Sequence, residues 1–203
     1  MKRILAVPDI HGHKTVLKNL LKQVKYNPES DQLILLGDYI NKGPESKATL
    51  EYVIELVDNG AVALIGNNEA RVIQENDSDY VKYVPFIKKL KLYYAFGGYI
   101  FSHAGFRASL DFESQIYEDV CGLNKLIFEQ KVFSDKISVF GHTPTFRLGA
   151  KIGDIWASEG LMCIDTGAGH GQYLSLVDLS GGKVYRQKVN GDQRVECGVG
   201  IDI

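Results

Sequence analysis

Ile4-Leu5-Ala6-Val7-Pro8-Asp9-Ile10-His11-Gly12 is a short apolar run stopped by proline and followed at once by two side chains able to bind a cation. A continuous apolar run of this length bounded by a turn residue suits a strand buried on both faces. The pattern recurs at Gln32-Leu33-Ile34-Leu35-Leu36-Gly37-Asp38 and at Ala61-Val62-Ala63-Leu64-Ile65-Gly66-Asn67. Two amphipathic segments lie between these runs. From Lys14 to Lys25, Val16, Leu17, Leu20, Leu21 and Val24 recur at three- and four-residue spacing, which predicts a helix ended by Asn27-Pro28. Pro44 suits a helix's first turn, and Leu50, Val53, Ile54 and Val57 form a second stripe closed by Asn59-Gly60. Strand, helix, strand, helix, strand implies an α/β fold whose opening strands run parallel. Their carboxyl ends then share one edge, where ligands bind in open α/β sheets.

Further along, residues 69–90 read as helix broken at Asn76-Asp77 and Pro85. Residues 92–95 and 99–101 flank Gly97-Gly98 as a hairpin, with His103 just beyond. Residues 111–130 read as helix, and Ile137–Phe140 as a strand that delivers Gly141-His142. Runs at 162–164, 173–178 and 183–187, joined by glycine-rich turns, suit antiparallel strands. The tail from Asn190 carries no motif.

A length of 203 residues fits one domain, 1–203, and 45% hydrophobic with 24% charged residues is ordinary globular usage. No apolar run reaches the roughly 20 residues of a spanning helix, so no membrane partner is expected. A net charge of -2 gives no general attraction to nucleic acid. Cys121, Cys163 and Cys197 form no C-x-x-C pair, which argues against a disulfide framework or a zinc knuckle. Met1-Lys2-Arg3 leads directly into the first strand with no signal-peptide pattern, so the expected location is cytoplasmic.

The strand ends carry the chemistry. All five histidines, His11, His13, His103, His142 and His170, fall in strand-end loops. Carboxylate, imidazole and amide oxygen together suit manganese, iron or zinc rather than a thiolate-seeking ion. An aspartate such as Asp38 has enough lone pairs to span two such ions.

Asp9-Ile-His11-Gly, Gly37-Asp38-Tyr-Ile-Asn41-Lys42-Gly43, Gly66-Asn67-Asn68-Glu69, His103-Ala-Gly and Gly141-His142-Thr143-Pro144 resemble, in order, the motifs of the metallophosphoesterases. The bacterial and phage branch of the serine/threonine phosphoprotein phosphatases is the nearer resemblance. It implies a calcineurin-like β-sandwich of mixed sheets flanked by helices, two divalent transition-metal ions with manganese foremost, and hydrolysis of phosphomonoesters. By the same resemblance Asp9, His11 and Asp38 hold one metal, and Asp38 bridges to a second held by Asn67, His103 and His142. The substrate would be a phosphorylated protein, a small phosphoester or a phosphoanhydride.

The chain departs from that pattern around the substrate. In active relatives a histidine, oriented by an aspartate, protonates the leaving oxygen; here those positions are Asn68 and Asn41, and an amide donates no proton at neutral pH. Lys42 replaces a phosphate-binding arginine, keeping the charge and losing the fork. A second family arginine is not evident near Leu126-Ile127-Phe128. His170, in Gly167-Ala-Gly169-His170-Gly171, is the residue left to supply a proton or a phosphate hydrogen bond. Two other readings stand beside the phosphatase. A dinucleoside polyphosphate hydrolase would explain Asn41 but not Asn68, and a phosphate-binding or regulatory module would retain metals and affinity without turnover.

Overall fold

Alternation along the first strand decides how the layers stack. The computed structural model describes residues 2–122, 130, 131, 133–191 and 194–199. Its elements are β1 (Arg3–Val7), α1 (Lys14–Gln23), β2 (Asp31–Leu35), α2 (Ser46–Asp58), β3 (Val62–Ala63), α3 (Asn67–Gln74), α4 (Val84–Ile87), β4 (Tyr93–Phe96), β5 (Tyr99–Ser102), α5 (Tyr117–Cys121), β6 (Ile137–Phe140), β7 (Trp156–Ser158), β8 (Leu161–Cys163), β9 (Tyr173–Asp178), β10 (Lys183–Lys188) and β11 (Val195–Val199). Ile4 and Ala6 of β1, with Ile34 and Leu36, pack on Phe101, Val139 and Met162 of a second sheet. Leu5 and Val7, with Leu33 and Leu35, pack on Val16, Leu17 and Leu20 of α1 and on Leu50 and Val53 of α2. Successive strand residues face opposite ways, so a continuous apolar run fills the inter-sheet core and the helix layer together. The expected α/β sandwich of mixed sheets flanked by helices is the observed one.

The first sheet has the order β11-β10-β9-β1-β2-β3, and the second β4-β5-β6-β8-β7. In the first, β1 runs parallel to β2 and β2 to β3; in the second, β5 runs parallel to β6 and β6 to β8. The remaining strands pair antiparallel. Each sheet therefore has three parallel strands that release their loops at one edge.

Several sequence expectations are modified. The third strand was read as 61–65, but the ladder covers only Val62–Ala63: Ala61 N–H closes the end of α2 on Leu56 O, and Leu64 continues as an isolated bridge to Lys91. Pro85 begins α4 rather than breaking a helix, since its missing N–H costs nothing in a first turn. Of the helix expected over 111–130, the described residues form Tyr117–Cys121 and a 3-10 turn at Phe112–Ser114; residues 123–129 lie outside the described residues, as does the Leu126–Phe128 reading. The buried Gln115 amide bonds the backbone of Arg107 and Leu110, which favours a turn over a helix there. The motif-free tail contributes β11, and Trp156–Ser158 forms an edge strand that sequence patterning did not reveal. No described helix is long and apolar enough to cross a membrane.

Candidate metal centre

The loops after β1 and β2 are zipped together first. Ile10 and His11 N–H groups donate to Asp38 O at 3.0 and 2.8 Å, and Gly12 N–H to Tyr39 O at 2.8 Å. Below them Glu69 accepts the N–H groups of Asp38 and Tyr39 at 2.8 Å, of Gly66 at 3.2 Å and of Ile40 at 3.3 Å. One buried carboxylate at the start of α3 thus sets the shape of two loops. Burial and the neighbouring Asp38 charge push this carboxyl up to about 8. His11, Asp38, Asn41, Lys42 and His142 all adopt positive φ. Such conformations cost on the order of 1–3 kcal/mol each and persist where the surroundings enforce them.

The second sheet supplies the other side. β5 leads to His103 and β6 to His142, and the His142 N–H donates to Asp9 Oδ1 at 2.8 Å, joining the two sheets across the site. His11 Nδ1 lies 3.2 Å from Ile40 O, and His103 Nδ1 3.0 Å from Leu36 O. With the ring proton on those carbonyls, both Nε2 atoms keep a lone pair turned inward. His11 Nε2 is 3.8 Å from Asp9 and 3.7 Å from Asp38, and His103 Nε2 is 3.7 Å from Asp38, 3.0 Å from Asn67 Oδ1 and 3.1 Å from His142 Nδ1. Ligand atoms of Asp9, Asp38, His103 and His142 all lie within 4.8 Å of one another.

Electrostatics favour a cation here. Asp9 and Asp38 are 1% and 2% exposed and His103 is fully buried. Burial pulls the His11 and His142 imidazoles down to about 4, so both are neutral at physiological pH. Burial, then the charges of Asp165 and Asp38, hold the Asp9 carboxyl well above its usual range. Converging lone pairs and crowded buried carboxylates with no compensating imidazolium are the donor set a divalent ion fits. Lys42 brings a positive charge to this site, its Nζ donating to His11 Nε2 at 3.3 Å.

All six residues read as metal ligands are therefore brought together. The asparagine pair is close by. Asn68 donates its side-chain amide to Asp38 Oδ2 and its N–H to Oδ1, while its own Oδ1 accepts from Asn41 at 3.0 Å and Arg71 Nη2 at 3.2 Å. His170 is placed differently: it is exposed on the rim, its Nε2 3.1 Å from Arg147 Nη2 and its ring edge-on to Phe146. Sequence reasoning gave no role to Glu69 or Asp165. Asp165 is buried behind Asp9, where burial raises its carboxyl to about 6. It follows β8 just as Asp38 follows β2, and that repeated strand-then-aspartate pattern was the available signal.

Residues 2–171 match the model of the calcineurin-like phosphoesterase family. The symmetrical bis(5'-nucleosyl)-tetraphosphatase of Thioalkalivibrio sulfidiphilus is 44% identical over 70 residues, covering 34% of this chain and 26% of that protein. Its counterpart in Aromatoleum aromaticum is 31% identical over 122 residues, covering 50% and 44%. The match thus spans less than half the length of these relatives, and they are named as tetraphosphatases rather than protein phosphatases. Among solved structures, a candidate diadenosine tetraphosphatase superposes with TM-score 0.73 at 19% identity, covering 99% of this chain and 95% of that one. A cold-active protein-tyrosine phosphatase of a psychrophilic Shewanella gives 0.61 at 15% identity, covering 96% and 80%. At such identities the likeness speaks for the fold.

Proposed function

The chain belongs to the calcineurin-like phosphoesterase family, and from that premise we propose that it hydrolyses phosphoanhydrides of the dinucleoside polyphosphate class in preference to phosphoserine or other alkyl phosphates. The observation that carries this reading is the Asn41–Asn68 pair. Asn68 stands where a leaving oxygen would be protonated, yet its amide is committed to Asp38 and has no proton to give. General acid catalysis is commonly worth about 10²–10⁴ in rate, a loss felt most when an alkoxide departs. A phosphate leaving group departs without protonation. The tetraphosphatase relatives support the same substrate class.

Asp9, His11 and Asp38 would hold one divalent ion, and Asp38, Asn67, His103 and His142 a second; manganese, iron and zinc all suit the set. Such ions supply Lewis acidity toward the phosphoryl group and make the attacking water acidic. The chain's own residues do the rest. Glu69 fixes the Asp38 loop, Ile40 O and Leu36 O orient the His11 and His103 rings, and Lys42 at the mouth neutralises charge on the bound phosphate. His170 on the rim contributes a hydrogen bond to phosphate.

The test compares kcat/KM for diadenosine tetraphosphate and for a phosphoserine peptide with manganese added to metal-free protein. At least a hundredfold preference for the tetraphosphate is expected. Equal efficiencies, or a preference for the peptide, would sink the proposal. Metal and phosphate binding with no turnover of either would favour the binding-module reading, which the two asparagines also accommodate.

A further inference from the structure

We infer that Arg147, with His170 beside it, forms a second phosphate subsite on the rim of the metal centre, one that takes the phosphate next to the one under attack in a polyphosphate substrate. The inference rests on the phosphoanhydride reading above and gives that reading a recognition residue.

Arg147 lies in the 3-10 turn Thr145–Leu148, directly after the loop that carries His142. Its position relative to the centre follows from a short path of contacts. Gly169 sits so close to the site that a Cβ there would come within 2.7 Å of His11 Nε2 and 2.8 Å of Lys42 Cδ. The next residue is His170, and its Nε2 meets the Arg147 guanidinium at 3.1 Å. Adjacent residues therefore make the two contacts, Gly169 with Lys42 and His170 with Arg147. A chain of phosphates leaving the metals along this loop passes from one cation to the other.

The partner of Arg147 is the second argument. Arg3, Arg71, Arg107 and Arg186 each face a carboxylate: Asp31, Glu75, Asp119, and Asp154 with Glu196. Among the described residues no carboxylate lies within ion-pair distance of Arg147, which is exposed and rests on an uncharged acceptor. An imidazole nitrogen orients a guanidinium without neutralising it, so, although Arg147 also acts at longer range on the buried Asp165, its remaining N–H groups stay available to an anion. A guanidinium fork matches two phosphate oxygens. Accepting at Nε2 also sets the neutral His170 tautomer, placing its proton on Nδ1 as a further donor. Partial burial, then the positive charges of Lys42 and Arg147, lower the pKa of this imidazole.

ADP and AMP differ by one phosphate and so isolate the subsite. Each is titrated calorimetrically into manganese-loaded full-length protein, wild type, Arg147→Ala and Arg147→Lys, with melting curves to check folding. Wild type is expected to bind ADP at least tenfold more tightly than AMP. Arg147→Ala should lose that tenfold for ADP while AMP affinity moves less than twofold, and Arg147→Lys should fall between. Wild type that fails to distinguish ADP from AMP, or an Arg147→Ala variant that weakens both equally or neither, overturns the subsite. Turnover of diadenosine tetraphosphate by wild type reports separately on the broader reading, because a chain that binds ADP through Arg147 yet cleaves only phosphoserine would refute that reading and leave the subsite standing.

Discussion

Replacing Gly169 with alanine tests how tightly the late loop is packed on the metal centre. Carbon contacts ordinarily sit at about 3.5–4.0 Å. An added Cβ would lie 2.3 Å from His11 Cδ2, 2.7 Å from its Nε2 and 2.8 Å from Lys42 Cδ, so either the imidazole or the loop must yield by roughly 1 Å. Lys42 is an exposed, flexible chain and moves cheaply. The His11 ring does not, because Nδ1 is held on Ile40 O and the backbone sits at φ 46° between two hydrogen-bonded loops. Overpacking of this kind costs about 1–3 kcal/mol, and a 1 Å error at a reacting site costs about a hundredfold in rate. The expected result is weaker manganese binding by titration and a kcat/KM for p-nitrophenyl phosphate about a hundredfold lower. Gly98→Ala, whose new Cβ meets nothing within 4 Å, is the control and should stay within twofold. A Gly169→Ala protein that binds manganese and turns over like wild type would refute the claim that close approach at Gly169 holds His11 in place.

Restoring an acid and its partner with Asn68→His and Asn41→Asp should raise hydrolysis of an alkyl phosphate by about 10²-fold or more while changing p-nitrophenyl phosphate little; parallel gains on both substrates would contradict the leaving-group argument. Burial raises the Asp31 pKa, but the Arg3 fork at 2.7 and 3.0 Å, with the Asn27 N–H at 2.9 Å and the Ser30 hydroxyl, together leave it below the ordinary value. A carboxylate lowered in the folded state contributes stability above its unfolded pKa and loses it as pH falls through the folded one, so Asp31→Asn should cost about 1–2 kcal/mol at pH 7 and progressively less from about pH 4 downward. Urea melts at pH 7 and pH 3 check this, and an undiminished gap at pH 3 would contradict it. Manganese at about 100 times its dissociation constant should stabilise the protein by about 2.7 kcal/mol, read as a melting shift that EDTA reverses; no shift would argue that the buried carboxylates hold no ion.

Much of the architecture was legible because burial writes itself into the sequence. Ile4–Val7 and Gln32–Leu36 are apolar on both faces because one face meets α1 and α2 and the other meets Phe101, Val139 and Met162. The convergence of the candidate ligand residues was legible for the same reason, since each stands a few residues beyond the end of a strand. What escaped notice were features set by partners remote in sequence. β11 is an edge strand with one half-buried valine and an exposed glutamate and cysteine, so nothing local marks it; its ladder with β10 does. Residues 111–122 contain helix formers, but the Gln115 amide spends itself on loop backbone instead. Arg147 looks like any surface arginine until its partner is found to be His170 rather than a carboxylate.

The asparagine pair shows why losing an acid does not imply a ruined site. Removing one member of a buried polar network normally leaves its neighbours unpaired, at about 1–3 kcal/mol for each orphaned group. Here no such orphan remains: Asn68 fills both roles, donating to Asp38 Oδ2 through Nδ2 and accepting from Asn41 and Arg71 at Oδ1. Two donors on one side fix the amide's direction, and that direction points its NH₂ at the carboxylate Asp38 offers to metal. The network therefore holds Asp38 in place through neutral donors, without adding a positive charge that could repel a cation. On the proposed reading, a centre so arranged would keep its grip on metal and phosphate and give up only assistance to the departing oxygen. The burden would then pass to the substrate, which would have to bring a leaving group stable as an anion, and a phosphate released from an anhydride is such a group.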